Sequence, residues 1–154
     1  MNAVRAILTL LSLQCLALAA EAPVEVWSAQ EIGRISGDLA QPAEAKDIAG
    51  KALGAFGNHS TAVWRRARSG QAELHKAKTD LLVITSGEAT LITGGAIANA
   101  RSTSPVEIRG KSIEGGVSRK IGTGDVVRVA AGTPHQFILA KGQSISYFAI
   151  KIAK

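Results

Sequence analysis

Four residues stand out for the chemistry they could do together: Glu73, His75, Asp80 and His135. Two imidazoles and two carboxylates suit Mn²⁺, Fe²⁺ or Zn²⁺, because ring nitrogen and carboxylate oxygen both bind these ions, and the donor set does not select among them. Glu73 and His75 are two residues apart, so on a strand both side chains leave from one face and can converge on one ion. Asp80 is an odd five residues beyond His75, which on a continuous strand turns it to the other face. A hairpin or bend through Lys76 to Thr79 is needed to bring it back. His135 follows the apolar run Val126 to Val129 and a Gly132-Thr133-Pro134 turn, which would deliver it to the start of the next strand. The competing reading leaves Glu73 and Asp80 as ordinary polar residues at the rim of a pocket.

Other residues near these stretches are candidates for holding a substrate. Arg128, with Lys76 and Thr79, could orient an anion, although Lys76 is adjacent to His75 and faces away if the strand continues. Trp64 and Phe137 could form an aromatic wall or simply pack a core. His59, the third histidine, precedes the first strand of the β-rich part and is a lone histidine that could be exposed, structural or part of the pocket. Arg65, Arg66 and Arg68 make the one tight basic cluster. Arg66 and Arg68 share a strand face and read as solvated surface.

The elements that must position these groups are short strands. From Ser60 onward, β-rich runs separated by glycine predict strands over Thr61 to Arg66, Leu81 to Thr85, Thr90 to Thr93, Val126 to Val129, Phe137 to Leu139 and Ser144 to Ile152. Ser86-Gly87 predicts a tight hairpin between the second and third of these. In the last run Ile145, Tyr147, Ala149 and Lys151 share one face. Residues 95–124 are polar and glycine-rich, a long hairpin or a mobile flap, with Val106 to Arg109 alternating like one more strand. Upstream, Ser28 and Glu31 form a capping-box pair ahead of Ile32, Ile35 and Leu39 at helical spacing. A second short helix is predicted over Ala43 to Leu53.

The spacing resembles the cupin superfamily, whose first motif has the form G-x5-H-x-H-x3,4-E-x6-G and whose second has the form G-x5-P-x-G-x2-H-x3-N. Gly124, Gly132 and His135 keep the second motif's spacing, with Ala130 in place of its proline and Leu139 in place of its asparagine. In the first motif His75 falls at the second histidine, Glu73 at the first, Asp80 at the glutamate and Gly87 at the closing glycine; the opening glycine would fall at Ala67, with Gly70 nearby. The resemblance covers about residues 60–152. It implies an all-β fold, a double-stranded β-helix or jelly-roll barrel with a short N-terminal helical segment. It also implies a metal held by Glu73, His75, Asp80 and His135, and it suggests a homodimer. Two imidazoles and two carboxylates would replace the usual three imidazoles and one carboxylate.

Residues 1–20 have the form of a secretory signal peptide: Arg5, then the apolar run Ala6 to Ala20, then small residues suited to cleavage after Ala19 or Ala20. The run is too short to span a bilayer comfortably, for which about 20 apolar residues are needed, so no membrane span is expected after its removal. Cys15, the one cysteine, lies within this run, which leaves a thiol-free mature chain suited to a periplasm or the exterior. The expected organisation is therefore a signal peptide over 1–20, a helical or irregular segment over 21–57 packing on the barrel, and a barrel domain over 58–154. The chain of 154 residues, 46% hydrophobic and 19% charged, fits one core. Its 18 Lys and Arg against 12 Asp and Glu make it moderately basic, without the clustered basic and aromatic face that nucleic-acid binding requires. Expected partners are thus small molecules. Three functions follow: a metal-dependent enzyme of isomerase, lyase or dioxygenase type, a non-catalytic and metal-free binder of a small metabolite, or a partner-binding role on the basic surface.

Overall fold

The computed structural model describes residues 24–154; the signal-peptide reading of residues 1–20, Cys15 included, lies outside them. The first helix, α1 (Ala29–Asp38), starts where Ser28 caps it, its Oγ accepting a hydrogen bond from the Glu31 amide at 3.1 Å. The second, α2 (Ala40–Lys46), stops at Asp47, which takes a left-handed conformation with φ 68°. Twelve strands follow: β1 (Ile48–Phe56), β2 (His59–Arg66), β3 (Ala72–His75), β4 (Lys78–Thr93), β5 (Ala96–Ala98), β6 (Arg101–Ser104), β7 (Glu107–Gly110), β8 (Ser112–Glu114), β9 (Val117–Gly122), β10 (Val126–Val129), β11 (His135–Ile138) and β12 (Ile145–Ala153).

The helix expected over Ala43 to Leu53 is therefore short and displaced, and the sheet begins at Ile48. Ile48–Phe56 pairs antiparallel with His59–Arg66 across a Gly57-Asn58 turn. Apolar residues spaced as in a helix do not exclude a strand, and here a partner strand a few residues away pairs with one edge of Ile48–Phe56. Residues 95–124 are neither one hairpin nor a flap. They form five strands, of which β9 pairs with β4, β6 pairs with β7, and β5 and β8 form a small sheet of their own.

A second departure organises the barrel. Ser86-Gly87 does not reverse the chain: β4 runs through it for 16 residues. Its first half pairs with β12 and β10, its second half with β11 and β9. The long antiparallel sheet, ordered β1-β2-β12-β4-β11-β3-β7-β6, thus curls at β4 into two layers facing each other. Gly87 sits at the bend with φ 78°, and a Cβ there would collide with the Ser144 carbonyl oxygen. A Ser-Gly pair signals a break in a regular strand. Whether the break becomes a reversal or a bend is decided by which strands lie beside it.

Between the layers lies the main core, built on Leu82, Ile84, Leu91, Phe137, Ile145 and Tyr147. A second cluster lies outside the barrel, where Ile32 and Ile35 of α1 pack on Val63 and Phe148 of the outer sheet face. In that interface the Ser36 hydroxyl donates to the Ser146 hydroxyl at 2.6 Å, and both residues are buried. Ser146→Ala leaves the Ser36 hydroxyl without a partner and is expected to cost roughly 1–2 kcal/mol. The Ser36→Ala/Ser146→Ala double variant should recover part of that loss, a non-additivity read by urea unfolding of the four proteins.

Candidate metal centre

The register of three neighbouring strands sets out the site. Glu73 on β3 lies opposite His135 on β11 and, on its other side, opposite Arg109 on β7; His75 lies opposite Glu107. Side chains directly opposite on one face are in contact range, so β3 brings an imidazole, a carboxylate and a guanidinium into one row. After His75 the chain bends at Lys76-Ala77, the break that Asp80 requires, and enters β4, where Asp80 lies opposite Lys151 of β12. The facing layers bring the two groups together in a cavity of about 360 Å³, lined also by Trp64, Arg66, Phe137 and Tyr147.

Every carboxylate here is neutralised. Glu73 is only 7% exposed; Arg66 Nη2 donates to its Oε1 at 2.9 Å, and Arg109 Nη2 lies 3.1 Å from its Oε2. Burial alone would raise the pKa of this carboxyl, but Arg66, then His135, Arg109 and His75 outweigh it and hold it below the ordinary range. Asp80, 4% exposed, accepts from Lys151 Nζ at 2.7 Å. Arg66 is itself fixed on three sides. Its Nε donates to Tyr147 Oη at 3.2 Å, its guanidinium stands 5.1 Å over the Phe137 ring, and Phe137 and Tyr147 stack at 5.3 Å.

The two histidines present Nε2 to the cavity. His135 Nδ1 donates to the Thr133 carbonyl at 3.1 Å, which in the neutral ring leaves Nε2 as the lone-pair nitrogen. His75 Nε2 accepts from Lys151 Nζ at 3.0 Å. Burial, with Lys151 adding to it, pushes the His75 pKa below its usual value against the pull of Asp80 and Glu73. It is therefore neutral at pH 7, the form a metal ligand must have.

Donor atoms of Glu73, His75 and His135 all lie within 4.8 Å of one another. Three ligand atoms bonded to Zn²⁺ at about 2.0–2.2 Å with tetrahedral angles stand about 3.3–3.6 Å apart, so closing the set on an ion needs a contraction of up to about 1.5 Å. Two imidazoles and one carboxylate on one side of an ion leave positions open on the other. Asp80 stands at the edge of this group, its Oδ2 3.5 Å from His75 Nε2 and 3.7 Å from His135 Nε2.

No family model matches the chain, and no curated protein does. Solved structures do. A double-stranded β-helix protein of Klebsiella pneumoniae superposes with a TM-score of 0.55 at 14% identity, over 84% of this chain and 90% of that one. A cupin-2 domain protein of Rhodospirillum rubrum gives 0.50 at 12% identity over 70% of this chain. The DMSP lyase DddQ of Ruegeria pomeroyi gives 0.51 at 17% identity over 71%. The protein folds as a cupin. The chain spans about half of the lyase, 49%, and 61% of the Rhodospirillum protein.

Of the residues singled out in the sequence, Glu73, His75, Asp80 and His135 converge, and Trp64 and Phe137 line the same cavity. Lys76, Thr79, His59 and Arg128 do not line it; Lys76 is exposed at the bend, and Thr79 Oγ1 accepts from the Ala131 amide at 3.3 Å. His59 stacks on Phe56 at 4.9 Å and bonds Asn58 at 2.8 Å; its place at the first residue of β2 puts it opposite Ile152, away from the ligands. Arg128 is exposed on β10, because Val129 is the residue there that turns inward. Arg66 is the reverse case, buried at 7% exposure where the sequence reading placed it on the surface with Arg68. Arg68 alone is outside, bonded to Asp47 and the Glu44 carbonyl. Strand alternation from Trp64 places Arg66 inward, and alternation from Tyr147 does the same for Lys151. Arg109 had no such signal: only pairing of β7 with β3 brings it to Glu73.

Arg66→Met is expected to destabilise the protein by about 3 kcal/mol, because it removes one partner of a buried ion pair while Glu73 stays buried. Tyr147→Phe should cost less, about 2 kcal/mol, a single hydrogen bond from a charged donor; urea unfolding compares the two. In EDTA-treated protein the unfolded chain takes up protons on His75 and Glu73 that the folded chain refuses, so stability falls on acidification. The loss should begin as pH drops through 6.5, the ordinary imidazole value, and deepen below 4.5, the ordinary value for Glu73. His75→Gln should abolish the first step and leave the second.

Proposed function

We propose that this chain is an exported cupin that binds one divalent metal ion through Glu73, His75 and His135, with Asp80 beside them, and acts on or binds a small anionic metabolite in the same cavity. The observation that carries the reading is the donor group itself. Three ligand atoms lie within 4.8 Å of one another, with the glutamate held ionised and one imidazole oriented by a backbone carbonyl. A bound ion would supply Lewis-acid or redox chemistry at its open positions, and Mn²⁺, Fe²⁺ and Zn²⁺ all suit the donors.

An anionic ligand is supported by the cations at the cavity. Arg109 and Lys151 are half-exposed and Lys78 lines the same space, while Trp64 and Phe137 offer an apolar wall. The fold hosts several reaction types and does not choose among isomerase, lyase and dioxygenase. Export rests on the Arg5-led apolar run and the small residues at Ala19 and Ala20; among the described residues no helix is long and apolar enough to cross a membrane.

A metal-free binder is the second reading, and the contact of Lys151 with both Asp80 and His75 favours it. Metal analysis of the purified mature protein separates the two. About one equivalent of Mn, Fe or Zn is expected in the wild type and almost none in His75→Ala or His135→Ala. A metal-free wild type whose melting temperature does not respond to any of the three ions would remove the metal.

A further inference from the structure

Lys151 has no part in the metal reading, yet it uses the atoms that reading needs. Its Nζ lies 2.7 Å from Asp80 Oδ1 and 3.0 Å from His75 Nε2. A neutral imidazole nitrogen has one lone pair in the ring plane, and that lone pair accepts either an ammonium proton or a metal ion. The Lys151 hydrogen bond and a metal bond at His75 are therefore mutually exclusive. Charge argues the same way. The cavity holds Arg66, Arg109 and Lys151 against Glu73, Asp80 and Glu107, three of each sign beside Lys78 at its edge, and an ammonium kept hydrogen-bonded to a ligand would repel an arriving divalent cation at short range.

The lysine is also able to leave. Its side chain is 30% exposed, it sits near the end of β12, and four methylenes allow the ammonium to swing toward solvent. Arg66 is different: it is buried, stacked and doubly bonded.

We propose that Lys151 is a displaceable internal cation: in the metal-free protein it holds His75 and Asp80 in place, and metal binding at His75 expels it toward the cavity mouth. This rests on the metal reading above. It predicts that metal affinity in the wild type is reduced by the need to break the Lys151 contacts. It also predicts that the metal-free protein depends on Lys151 for stability.

The test is Mn²⁺ titration calorimetry on wild type, Lys151→Met and Lys78→Met, with thermal melts of each in EDTA. Lys78 lines the same cavity and removes the same charge without holding either ligand. Lys151→Met should bind Mn²⁺ at least about tenfold more tightly than wild type, the scale of one charged hydrogen bond, and Lys78→Met should change affinity by much less. Lys151→Met should also melt lower than wild type in EDTA and regain the difference with Mn²⁺. Lys151→Gln serves as a second variant should the methionine fail to fold. Equal or weaker Mn²⁺ binding by the Lys151 variants, or an equal gain in Lys78→Met, overturns the proposal and leaves the metal site standing. Absence of Mn²⁺ binding in wild type and variants alike overturns both, whereas binding by the Lys151 variants alone supports the displacement.

Discussion

The interior of this barrel depends on keeping buried carboxylates paired. Glu73 and Asp80 are each less than a tenth exposed, and an unpaired carboxylate at such depth would either carry a large desolvation cost or take up a proton. Arg66 and Arg109 on one carboxylate and Lys151 on the other remove that cost. Because the three cations come from β2, β7 and β12, neutralising the site also ties together strands distant in the chain. The aromatic pair Phe137 and Tyr147 supports Arg66 from below, so the hydrophobic core and the polar site share a wall.

The same requirement explains the register. β3 is four residues long, yet it must pair with β11 and β7 so that His135, Glu73 and Arg109 fall in one row. A slip by one residue would turn Glu73 and His75 to the other face and leave Arg66 without its carboxylate partner. β4 bears the complementary constraint. Its bend at Gly87 lets one strand pair in both layers, so that Asp80, at its start, faces the residues carried by β3 and β11. The two halves of the site are thus held by backbone pairing before any ligand binds.

Much of the site was legible in the chain because its logic is local. The Glu73-Leu74-His75 spacing needs only strand alternation, and the turn before His135 needs only glycine and proline. The Asp80 bend was also required by counting, and the chain does bend at Lys76-Ala77. The resemblance to cupins supplied the meeting of the two stretches, which spacing alone could not. Arg66 shows where reading by cluster misled. Three arginines near one another suggested a solvated surface, but alternation from Trp64 turns Arg66 inward while Arg68, past the end of β2, stays out.

By itself, then, the sequence determined which residues are equipped for metal chemistry, which strand faces they share, and that a capped helix precedes a β-rich barrel, since these follow from residue type and from periods of two or 3.6 along the chain. Only the tertiary structure decided the rest. It turned Ser86-Gly87 from a hairpin into a bend, made Ile48–Phe56 a strand, set Arg109 against Glu73, and placed the Lys151 ammonium on Asp80 and His75. Each of these depends on which strand lies alongside which, and hydrogen bonds between strands leave no periodic trace in either segment.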